Sequence, residues 1–216
     1  MVLEKKHHAR VLSGVSAALI VMAGVGIPAA SAAAATPGST ILDSWEDAKG
    51  RQVFVREGAY NATSGKGFGM KKIRERHNIH KITSLKFATG NPNGGTAEGL
   101  HRRYDAYANR IECVNGKCEY TDSIPIRVIM NNEERDEYYG VNLRDQKIGV
   151  MTAYCISDTK ATDCPSWVDK ALANPTDFRA SRLDASASPA DGESYTASYE
   201  PLAGTAIEPN VSSPAK

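Results

Sequence analysis

Apolar residues recur along this chain with two periods, and each period predicts its own kind of element. Gln52-Val53-Phe54-Val55-Arg56 is a short apolar run between polar ends and predicts a strand. Gly65, Gly67 and Gly69 then mark a loop. From about Phe68 to His77 the spacing changes: Met70, Ile73 and His77 fall at i, i+3 and i+7, one face of a helix, with lysines and arginines on the remaining surface. A second helix is predicted over Ile82–Ala88 and is broken by Gly90-Asn91-Pro92-Asn93-Gly94-Gly95. Beyond it the pattern turns to strand. Tyr104–Val114 and Cys118–Met130 predict a long hairpin across Asn115-Gly116, with Pro125 placing a bulge or an edge in its second arm. Asn131–Asp145 predicts a charged loop, and Lys147–Ile156 a further strand that carries Thr152 and Tyr154 on one face. Ser166–Leu172, after Pro165, predicts a short helix. Helices first and antiparallel strands after give an expected α+β class: N-terminal helices packed on a small antiparallel sheet.

The two ends of the chain differ from this middle. Lys5, Lys6 and Arg10 precede an uncharged run from Val11 to Ala30, and Ala30-Ser31-Ala32 is a small-x-small cleavage signal. That layout predicts a secretory signal peptide over residues 1–32, hence a secreted, extracellular protein with no membrane contact after cleavage. Residues 33–50 are expected to be a linker and 51–175 one folded domain. From Ser181 onward the chain is Ala, Ser, Pro, Asp, Glu and Thr, too poor in large apolar groups to offset its ordering entropy. Residues 176–216 are therefore expected to form a disordered acidic tail. A monomer is expected.

Cysteine usage agrees with export. Cys113, Cys118, Cys155 and Cys164 all follow the signal sequence, and four cysteines allow three pairings. The Asn115-Gly116 turn favours Cys113–Cys118 as a clip on the hairpin, which leaves Cys155–Cys164. Spacings of the CxxC kind are absent, so no metal site is expected from the cysteines.

Charge is unevenly shared. Residues 51–155 hold 17 Lys/Arg against 12 Asp/Glu, whereas residues 156–216 hold 5 against 9. Residues 66–86 alone carry Lys66, Lys71, Lys72, Arg74, Arg76, Lys81 and Lys86 against Glu75. Such concentration suits a polyanionic ligand, although charge runs are more often solvated helix faces. His77, His80 and His101 lie in and just beyond this basic stretch. Imidazole is the side chain best placed to move protons near neutral pH, and the helix C-terminus at His77 favours imidazolium.

The string Gly67-Phe68-Gly69…Ile73…Arg76-His77, closed by Gly149-Val150-Met151-Thr152-Ala153-Tyr154, resembles the barnase/EndoU/colicin-E5/colicin-D/RelE-like superfamily of bacterial toxin-type ribonucleases. The resemblance covers about residues 50–156. It implies helices on a small antiparallel sheet, with His77 as acid or base and Thr152 and Tyr154 bonding the phosphate from the facing strand. Some relatives place a second histidine where this chain has Lys72. Lys72, Arg103 or Lys71 could supply positive charge, and His80 and His101 are second candidates for the other proton transfer. Lys66, Arg74 and Arg76 are expected to contact the RNA backbone. The function implied is a secreted endoribonuclease that needs no metal or other cofactor and cleaves RNA by 2′-OH attack to a 2′,3′-cyclic phosphate. Its expected partners are RNA, tRNA included, and an immunity protein.

Two other classes compete. One is an exported, non-catalytic domain that binds a polyanion or a partner protein through its basic face. The other is a zinc protein using His77, His80 and His101, whose spacing matches no metal motif.

Overall fold

The computed structural model of the chain describes residues 36–115, 117–156, 163–173 and 192–202. The expected signal peptide lies outside the described residues. Nine strands and three helices are found among the described residues, and the fold is mostly β rather than α+β with leading helices. Four strands come first: β1 (Ile41–Glu46), β2 (Gln52–Arg56), β3 (Ala59–Asn61) and β4 (Lys66–Phe68). The helices α1 (Gly69–His77) and α2 (Ile82–Thr89) follow, then β5 (Thr96–Glu98), β6 (His101–Val114), β7 (Lys117–Tyr138), β8 (Val141–Cys155), α3 (Ser166–Ala173) and β9 (Gly192–Ser198).

The reasons for the change of class are local. β1, in the expected linker, pairs antiparallel with β2, and its alternating pattern leaves only every second residue half-buried, which reads as polar coil in sequence. β3 and β4 form a hairpin of three residues per strand, too short to show a period. The expected loop Asn131–Asp145 is instead the outer half of the β7–β8 hairpin, paired through Glu134↔Lys147 and Glu137↔Asn142. It reads as charged because Glu134–Glu137 of β7 are exposed along the whole run, while Val141 and Leu143 of β8 are buried in a small second core with Phe68 and Ile148.

β6, β7 and β8 form the body of a five-stranded antiparallel sheet, with β8 at one edge. Along its other edge β6 pairs first with β5 and then with β9, Tyr107 facing Ser198 and Cys113 facing Gly192. The expected disordered tail therefore contributes a strand; residues 176–191 and 203–216 of that segment lie outside the described residues. β9 is held by few but large rings: Tyr195 stacks on Trp167 at 5.7 Å between centroids, and Tyr199 on Phe87 at 4.7 Å. Those aromatic contacts, rather than an apolar period, offset its ordering entropy.

Pro125 pairs with Tyr107 without a register shift and sits where β8 stops, since Ile126 is the partner of Cys155. The bulge of β6 falls instead between Arg110 and Ile111. Both disulfides form as expected, Cys113–Cys118 and Cys155–Cys164. They are compatible with an extracellular protein. Among the described residues no helix is long and apolar enough to cross a membrane.

The main core lies between one face of the sheet and the helices. Met70, Ile73, Leu85, Val168 and Leu172 from the helices meet Tyr104, Ala106, Ile126, Val128 and Val150 from the sheet. Gly149 admits the Phe54 ring of β2 beside β8. It has φ +85, and a Cβ there would come within 2.6 Å of the Phe54 ring.

Candidate functional site

Strand alternation divides β6, β7 and β8 into two faces. Tyr104, Ala106, Ile126, Val128 and Ala153 point into the core, so their neighbours point outward. The register then assembles two rows across three strands. Arg103, Ile129 and Thr152 form the first row; Asp105, Arg127 and Tyr154 form the second, two residues along. At the usual strand spacing each row spans about 10 Å.

The second row is chemically tied. Arg127 donates from Nε to Asp105 Oδ1 at 2.8 Å and from an Nη to Asp105 Oδ2 at 3.2 Å, a two-pronged pair. The Asp105 bond raises the Arg127 pKa above its ordinary value against the opposing effect of burial, with Tyr154 adding in the same direction. Arg103 ion-pairs with Glu98 at 2.6 Å, and its Nε stands 3.3 Å from Asp105 without hydrogen-bond geometry. The first row holds a group of another kind. The Thr152 hydroxyl is buried and has no hydrogen-bond partner among the described residues. A buried hydroxyl in that state costs free energy that a ligand oxygen would recover.

α1 brings His77 to this strand. The helix ends at His77 because Asn78 takes the left-handed conformation (φ 56) and donates its N–H back to Arg74 O and Ile73 O. His77 is buried at the end of the apolar stripe of Met70 and Ile73, and its carbonyl accepts from Cys164 N at 3.0 Å. Its ring lies against Tyr154, with 5.7 Å between centroids and 41° between planes. The Cys155–Cys164 disulfide ties the end of β8 to the segment that holds the His77 carbonyl. Thus the two strings that carried the resemblance, far apart in sequence, meet at His77 and Tyr154.

The other expected residues separate from this place. Lys72 is half-buried, and burial, then the charge of Arg76, lowers its ammonium pKa. Arg76 donates to the carbonyl of Gly65, and Lys66 is exposed on β4. Lys71, Arg74 and His80 line a cavity of about 620 Å³ with Glu57 and Glu75. Arg74 binds Glu57 there, with 2.9 Å to Oε2. His101 is exposed at the start of β6, facing Asn131. Lys86 pairs with Asp43 at 2.8 Å and lies over the Trp45 ring. The seven cations of residues 66–86 are therefore shared among several surfaces rather than gathered into one basic face. Among the described residues no three His, Cys, Asp or Glu side chains stand together as metal ligands.

Sequence reasoning missed Arg127 and Asp105. The signal was present: each is a charged residue inside an apolar strand, Ile126-Arg127-Val128 and Tyr104-Asp105-Ala106, so alternation alone puts both on the outer face. Comparison of the chain with protein-family models, with curated proteins and with solved structures finds no match.

Proposed function

We propose that this chain is a secreted, toxin-like endoribonuclease that cleaves RNA without a metal ion. The contact of His77 with Tyr154, on the strand that also presents the unpartnered Thr152 hydroxyl, carries the reading. In this scheme a base takes the ribose 2′-OH proton, and the 2′ oxygen bonds to phosphorus. The bond from phosphorus to the 5′ oxygen breaks, and an acid protonates that oxygen, leaving a 2′,3′-cyclic phosphate and a 5′-hydroxyl. His77 serves as one of the two proton-transfer groups. Thr152 and Tyr154 donate to the phosphate oxygens where charge accumulates. Arg103 and Arg127 supply positive charge by exchanging part of their bonding to Glu98 and Asp105 for the phosphate. His80 and His101 stand elsewhere.

The test is a gel assay of the disulfide-bonded protein on total RNA, with and without EDTA, beside His77→Ala. Cleavage that survives EDTA and falls at least 100-fold in His77→Ala is expected, the range of a lost acid–base group. Intact RNA after long incubation with the wild-type protein would sink the proposal.

A further inference from the structure

The turn between β7 and β8 is built against its own backbone preference. Tyr139 and Gly140 both have positive φ, 51° and 76°, the geometry of a tight primed hairpin turn. Asn, Asp or Gly normally holds the first of these positions, and an aromatic side chain is strained there. The ring is nevertheless kept in place. Tyr138 meets it edge-on at 4.5 Å between centroids, and Phe68, fully buried, lies 6.4 Å away at 26°. Nearly half of Tyr139 remains exposed (47%), and it lines the 620 Å³ cavity. A strained, supported and open ring points to a ligand-contacting role.

The rest of the cavity has matching chemistry. Its floor is backbone: Gly58, at φ +73, lies so close to the Phe68 carbonyl that no side chain fits there. Lys71 and Glu75 reach it from α1, and His80 from the loop after α1. The orientation of His80 is defined by its neighbours. Asn78 Nδ2 donates to Cys164 O at 2.8 Å, which turns its Oδ1 to His80 Nε2 at 2.9 Å. Nε2 is therefore the protonated nitrogen, and Nδ1 is left for a ligand. One cavity thus offers an aromatic platform, an ammonium, an imidazole and a carboxylate, at a volume suited to a small organic molecule.

We propose that this cavity is a single-nucleotide subsite: a base stacks on Tyr139, its phosphate is held by Lys71, a ribose hydroxyl donates to His80 Nδ1, and Glu75 accepts from the amino edge of the base. The choice of an RNA nucleotide as the occupant rests on the ribonuclease reading. His77 and Tyr154 do not line the cavity, so the subsite would bind a nucleotide of the substrate apart from the bond being cleaved.

The test is calorimetric titration of the disulfide-bonded protein with the four ribonucleoside 5′-monophosphates, with the free nucleosides and with inorganic phosphate, while NMR follows the His80 ring. Tyr139→Gly is the informative variant, because glycine relieves the turn and removes only the ring. Saturable binding of a monophosphate is expected, with a His80 shift, at least tenfold weaker in Tyr139→Gly. No saturable binding, inorganic phosphate binding as tightly as the nucleotide, or equal affinity in Tyr139→Gly would each overturn the subsite. Nucleotide binding without RNA cleavage would remove the ribonuclease reading and keep the subsite. Cleavage without nucleotide binding would do the reverse.

Discussion

Tyr104 and Asp105 are neighbours on β6, yet they belong to polar groups of opposite character. On the inner side the Tyr104 hydroxyl donates to Asp47 Oδ2 at 2.8 Å. Asp47 also accepts from Arg51 Nε at 2.9 Å and from the backbone N–H groups of Lys49 and Arg51. Its side chain is fully buried, and no acceptor position is wasted. On the outer side Asp105 pairs with Arg127 and Arg103, while the Thr152 hydroxyl one row away stays unpartnered. A closed set of bonds fixes a β1–β2 connection onto the sheet and has nothing left to offer a ligand. An open set costs stability in the free protein and can recover it only on binding. The first is architecture, and the second is where chemistry is to be sought.

The comparison is broken most severely by removing Asp47. Asp47→Ala leaves the Tyr104 hydroxyl and the Arg51 guanidinium without their acceptor, and a loss of roughly 2–4 kcal/mol is expected in urea denaturation. RNA cleavage by the folded fraction should persist, because the outer rows are untouched. Acid gives a graded version of the same effect. Burial alone would raise the Asp47 pKa, but the bonds from Arg51, Tyr104 and Lys49 outweigh it and hold the carboxyl below its ordinary value. A depressed carboxyl contributes stability above its unfolded pKa, about 4, and loses it as pH falls through the native value. The unfolding free energy should therefore drop below about pH 4, with a shallower slope in Asp47→Ala. The smallest change in stability is expected from Thr152→Val, which removes a hydroxyl that bonds nothing in the free protein. Its unfolding free energy should rise, by about 1 kcal/mol, because an unpaired buried hydroxyl is removed. RNA cleavage should fall at least tenfold in the same variant. Undiminished cleavage would place Thr152 among packing residues.

Much of this arrangement was legible in the residues. The helical period of Met70, Ile73 and His77 located α1, the Asn115-Gly116 turn located the central hairpin and its disulfide, and alternation put Thr152 and Tyr154 together. Elements whose stability comes from distant partners were not legible. β9 has no apolar period of its own and is ordered by rings that meet Trp167 and Phe87. β1 and the β3–β4 hairpin depend on pairing rather than on local preference. The histidines show the same limit. Closeness in sequence suggested that His77, His80 and His101 act together, but the left-handed turn at Asn78 sends His80 to the cavity, and the start of β6 leaves His101 exposed.

The pairing of β6 with β9 has a consequence in time. β6 finds β7 across a tight turn, but its outer edge waits for residues 192–198. Contacts between segments so distant along the chain form late and slowly, because a large loop must close before any bond rewards it. A ribosome that still holds residues 192–198 holds back the finished sheet. Until release, the outer edge of β6 over Tyr107–Cys113 stays bare, the condition in which strands of separate chains join. Completion of the sheet thus waits for the emergence of β9.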